Sequence, residues 1–99
     1  MHRFKTAARN IAAARHADAV ELAVSQFLGS LTQSERASVE DAVGYTLPHD
    51  AGRIPMAAHD LTRTGLRAGG DDTLKALVGE MAQVFIIASN RLSQLNGRA

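Results

Sequence analysis

Four histidines are the side chains of this 99-residue chain best suited to chemistry near neutral pH, and two of them fall in a repeated pair: His49-Asp50 and His59-Asp60, ten residues apart. Imidazole and carboxylate together suit a hydrolytic metal ion. Wound on a helix, His59 shares a polar face with Arg63 and Arg67 at steps of four, and Asp60 lies alongside. The opposite face carries Ala57, Ala58, Leu61, Gly65 and Ala68. An exposed histidine with guanidiniums one turn away can accept a phosphoryl group and have its charge offset. His59 is therefore the candidate phosphoacceptor, and Arg63 and Arg67 are candidate anion-binding residues.

The stretch Ala58-His59-Asp60-Leu61, with Gly69 ten residues past the histidine and a long helix beyond, resembles histidine-phosphotransfer domains. Those are helical bundles of about this size class, and the resemblance implies a relay role for His59. It covers residues 57–81 and departs at Thr62 and Arg63, where the family usually has lysine and glycine. His16, the His59-Asp60 pair and Asp71 or Asp72 also follow the ligand types of HD-type phosphohydrolases, whose scaffold normally needs a longer chain. Arg9 and His16, seven apart, resemble the Arg-x4–6-His pattern of HEPN-class RNases, in which arginine holds phosphate and histidine assists 2′-OH attack. Nine arginines and four histidines produce such spacings by accident, so no catalytic residue, metal or cofactor is expected. The chain also has no Gly-x-Ser-x-Gly elbow and no dinucleotide fingerprint. Gly69-Gly70 is followed by two acids, which would repel phosphate.

Composition bounds the class further. Lysine and arginine number 11 against 10 acids, a formal net charge of +1. That balance hides an asymmetry: residues 1–17 carry Arg3, Lys5, Arg9 and Arg15 with no acid, so they form a +4 segment on a mildly acidic body. These four are further candidate anion contacts, and residues 1–10 are readable as a basic arm for nucleic acid. A nucleic-acid role would need stacking aromatics or a helix-turn-helix, and only Phe4, Phe27, Tyr45 and Phe85 are aromatic. Zero cysteines exclude disulfides and fit a cytoplasmic protein. The longest run of large apolar residues, Val84 to Ile87, is far short of a bilayer span, so no membrane association is expected. The basic N-terminus lacks the apolar stretch of a secretory leader.

The elements that must position these residues are helices. No segment alternates as a half-buried strand would. Four helices are expected, over about 5–29, 33–47, 55–68 and 72–95, forming an all-α, mostly up-and-down bundle and a single domain over 1–99. Ala13, Ala17, Val20, Val24, Phe27 and Leu31 make one apolar stripe of the first helix. Phe4, Ala7, Ala8 and Ile11 make another, roughly opposite, so the helix must bend near Asn10 or pack its start differently. Thr32-Gln33-Ser34-Glu35 is a capping box, Pro48 closes the second helix, Pro55 opens the third, and Gly69-Gly70 with Asp71 or Asp72 separates the third from the fourth. The last helix aligns Leu74, Leu77, Val78, Met81, Phe85, Ala88, Leu92 and Leu95 within one arc. Val84 widens that stripe, and Ile86 and Ile87 fall outside it.

Either the other helices wrap this last one, or its extra apolar residues form a self-association surface. Val, Ile, Leu and Phe together number 23, a thin core for one chain. The expectation is a small non-catalytic interaction module, an adaptor, regulator or subunit, that homodimerises and contacts a protein partner. Its expected interface is Phe4, Ile11, Val84, Ile86 and Ile87.

Overall fold

The computed structural model describes residues 2–97. Five helices follow in chain order: α1 (Arg3–Ala13), α2 (Ala17–Gly29), α3 (Gln33–Val43), α4 (Ile54–Arg67) and α5 (Asp72–Asn96). All regular structure among the described residues is helical, but the helices are five and not four. The difference lies in the segment expected to run unbroken over 5–29.

That segment breaks at Ala14-Arg15-His16, where Ala14 leaves helical geometry with ψ 134° and His16 is extended. The break is held from far along the chain. Arg91 donates from Nε and Nη2 to the Ala14 carbonyl, at 3.0 and 2.6 Å, placing a cation at the negative end of α1. It also resolves the two opposed stripes. With the chain reversed, Ala7 and Ile11 of α1 and Val20, Val24, Phe27 and Leu28 of α2 are buried in the same core. Ala13, assigned to the stripe, is exposed beside the break.

α3 begins as its sequence requires. Thr32 Oγ1 accepts from the Glu35 amide at 3.0 Å, and Glu35 Oε1 accepts from the Thr32 amide at 2.9 Å. It ends earlier than the expected residue 47, because Gly44 adopts a left-handed φ of 95° and closes the helix onto the Glu40 carbonyl. Leu47 and Pro48 are buried in the segment that follows, Leu47 within the core, with the Leu47 amide donating to Glu40 at 2.9 Å. α4 opens with Pro55 in its first turn, and α5 is N-capped by Asp71, whose side chain accepts from the Leu74 amide.

α5 is the axis of the molecule. Its 25 residues span about 37 Å at 1.5 Å per residue, most of the 43 Å long dimension. All four other helices pack on it, and α4 makes the most extensive pair. Ala57 and Ala58 of α4 are buried in the shared core, and Gly65 faces Val78 of α5 at ordinary contact distance. A Cβ built on Gly65 would sit 3.6 Å from Val78 Cγ1. Val84 and Phe85, adjacent on α5, are both fully buried, so the helix is enclosed on more than one side. Ile86 and Ile87 are half-buried and pack against the same core. No helix among the described residues is long and apolar enough to cross a membrane.

Candidate functional site

The structure divides the expected interface. Ile11 and Val84 have no exposed surface and belong to the chain's own core, so neither is free to meet a partner. Phe4, Ile86 and Ile87 are partly covered by the same packing. Among the described residues, the large apolar side chains left in solvent are Leu22, Met56 and Leu66 at 59, 56 and 80% exposure. A helical wheel could have flagged the last two: both fall outside the Ala57-Ala58-Leu61-Gly65 face of α4.

The basic N-terminal segment is divided as well. Arg3, expected to bind an anion, is gripped by two carboxylates from different helices. Its Nη1 and Nη2 donate to Glu35 at 2.9 and 3.1 Å, and its Nε and Nη2 donate to Glu80 at 2.9 Å each. This guanidinium ties α1, α3 and α5 together through paired hydrogen bonds. Its hydrogen bonds to Glu80 and Glu35 raise its own pKa further above the usual range. The bond from Arg3, followed by that from the Thr32 amide, lowers the Glu35 carboxyl from an ordinary 4.5 to about 2. Lys5, Arg9 and Arg15 remain exposed and form no ion pair within 4.0 Å among the described residues.

Arg9 and His16 do not share a helix face, because α1 ends between them and His16 is the extended N-cap residue before α2. The HD-type ligand set is not assembled either. Among the described residues no group of three or more His, Cys, Asp or Glu is placed to hold a metal ion.

The α4 residues fare differently. His59 is exposed, and Arg63 and Arg67 lie along the solvent side of the same helix. Both arginines line an open groove of about 460 Å³ between α3, α4 and the start of α5. Val43 and Leu74 supply its apolar floor, and Asp60 and Thr64 complete the α4 wall. Neither guanidinium has a carboxylate within 4.0 Å among the described residues. Asp60 is the acid nearest in sequence to Arg63, and Tyr45 holds it: the phenol donates to Asp60 Oδ2 at 2.8 Å. Burial, and then that bond, push the Tyr45 hydroxyl up to about 12, so it stays protonated and keeps donating. The Thr64 hydroxyl is also engaged, donating to the Asp60 carbonyl at 2.8 Å. The groove thus offers two guanidiniums that have no carboxylate partner among the described residues, beside half-buried Val43 and Leu74, which suits the acidic side chains of a protein surface.

A larger opening of about 680 Å³, where the start of α4 meets the end of α5, is lined by Ala51, Gly52, Pro55, Ser89, Leu92, Ser93, Asn96 and Gly97 and presents no charge. Comparison with protein-family models, curated proteins and solved structures finds no match for this chain.

Proposed function

We propose that the protein is a small helical protein–protein interaction module, an adaptor, regulator or subunit, that works without catalysis in the cytoplasm and assembles as a homodimer. The observation that carries this reading is the α3–α4–α5 groove. Arg63 and Arg67 have no ion-pair partner among the described residues and stand beside half-buried Val43 and Leu74. Arg3, Arg36 and Arg91 are instead engaged inside the chain, and Arg9, also exposed and without an ion pair among the described residues, does not line this groove. Charged groups beside apolar surface give an interface both orientation and burial. Ile11 and Val84, expected at the interface, are fully buried in the chain's own core, and this reading puts the groove in their place. Light scattering on the purified chain at tens of micromolar should report about 21 kDa, twice the 10.5 kDa chain mass. A mass of one chain at that concentration would overturn the homodimer.

A second reading keeps one specific observation in its favour: His59 is exposed with Arg63 one turn further along the same helix. On that reading a phosphodonor adds about 80 Da to the wild-type chain and nothing to His59→Ala. An unchanged intact mass for the wild type excludes it.

A further inference from the structure

Next to the basic groove lies an acidic one. It runs between α3 and the start of α5, has a volume of about 350 Å³, and is lined by Ser38, Asp41, Asp71, Thr73, Leu74 and Leu77. Leu74 lines both grooves. Val43 on the basic side and Leu77 on the acidic side are, like Leu74, only partly buried. The surface therefore has an apolar seam, Val43-Leu74-Leu77, with Arg63 and Arg67 and the Tyr45-bound Asp60 along one flank, net positive, and Asp41 and Asp71 along the other.

None of Arg63, Arg67, Asp41 and Asp71 forms an ion pair within 4.0 Å among the described residues. Asp71 is engaged only as the cap of α5, accepting from the Leu74 amide at 3.0 Å. A foreign acidic segment laid in the basic groove would meet repulsion from Asp41 and Asp71 at its edge. A foreign basic segment in the acidic groove would meet Arg63 and Arg67. A second copy of this chain meets neither problem, because a half-turn about an axis near Leu74 exchanges the two flanks. Such a two-fold contact is isologous, each charge pair occurring twice.

We propose that this patch is the homodimer interface, with Arg63 and Arg67 of each protomer set over Asp41 and Asp71 of the other and the Leu74 side chains meeting near the axis. The inference rests on the interaction-module reading above and specifies its partner as a second copy. The patch is small beside a standard interface of about 20–30 residues a side, so the dimer dissociates in the micromolar range and weakens as salt is raised.

The test is a charge exchange read by light scattering at low salt, with circular dichroism confirming that each variant stays helical. Arg67→Glu and Asp41→Arg are used, which leave the Asp71 cap intact. Each variant alone should be monomeric, with a dissociation constant raised roughly tenfold or more, because like charges then face each other twice. An equimolar mixture of the two should dimerise. In the mixed pair the new carboxylate at position 67 faces the new guanidinium at position 41, and the native Arg67 and Asp41 face each other across the axis. A foreign occupant of the two grooves would not produce that rescue. If the wild type is dimeric and both variants stay dimeric, or if the mixture stays monomeric, this surface is wrong while the module reading stands. A monomeric wild type overturns both this surface and the homodimer.

Discussion

Arg3 and Arg67 have the same side chain and opposite fates. At the start of α1, Arg3 makes four hydrogen bonds to Glu35 and Glu80 and joins three helices. At the end of α4, Arg67 lines a groove and has no carboxylate within 4.0 Å among the described residues. By composition the N-terminal segment looked like the cationic region available to a partner. The fold turns its first arginine inward as a structural tie and leaves the exposed guanidiniums of α4 beside apolar surface. Lys5, Arg9 and Arg15 stay exposed with no ion pair among the described residues, so local charge density does not tell which cation of a segment is engaged: that depends on carboxylates brought in from elsewhere in the chain.

The largest expected effect concerns the other half of the expected interface. Val84→Glu should abolish folding, at a cost of more than about 4 kcal/mol, since a carboxylate would enter a fully enclosed site. Loss of the helical circular dichroism signal is the expected result. A folded, monomeric variant would instead return Val84 to an interface.

Next comes the Arg3 tie. Arg3→Ala should lower the thermal midpoint by on the order of 5 °C and leave the dimer mass unchanged. It should also flatten the acid limb of stability. Glu35 is depressed in the folded chain from an ordinary 4.5 to about 2, so the unfolded state binds more protons between those values. Stability rises with pH through that window; the contribution is complete above it and is lost as pH falls toward 2. Denaturant melts at stepped pH check the slope, which should be shallower in Arg3→Ala. An unchanged slope would mean that Arg3 is not what holds the Glu35 carboxyl down.

The smallest effect on stability belongs to the groove. Arg67→Ala should change folding free energy by no more than about 0.5 kcal/mol, as expected for an exposed residue with no ion-pair partner among the described residues, yet weaken association. Stability and association should thus respond to opposite members of the Arg3 and Arg67 pair. A large destabilisation in Arg67→Ala would show an intramolecular role that the structure does not contain.

Features set by near neighbours were legible in the sequence. The Thr32–Glu35 capping box, the Asp71 cap, the Pro55 start and the apolar arc of α5 all depend on residues within a few turns. The split of the first helix was half legible: the opposed stripes of Phe4 to Ile11 and Ala13 to Leu31 required some change of direction. Its place was not, because the hydrogen bonds that hold it come from Arg91, 77 residues further on. Gly44 explains why α3 stops short of Pro48. The sequence placed a glycine there without showing that it would take a left-handed conformation. His59, Arg63 and Arg67 were placed correctly on one exposed helix, since a wheel suffices for that. The neighbouring acidic flank, Asp41 and Asp71, was missed because those residues sit on two other helices and meet the groove only through Leu74.

The central claim is that the α3–α4–α5 patch, and not the apolar surplus of α5, joins two copies of the chain. Amide NMR spectra of the wild type recorded over a dilution series through the dissociation constant test it most directly. Concentration-dependent shifts should cluster in residues 38–43 and 63–77, with Leu22, Ile86 and Ile87 unmoved. Shifts confined to α2 around Leu22 or to Ile86 and Ile87, or no shifts at all, would contradict it.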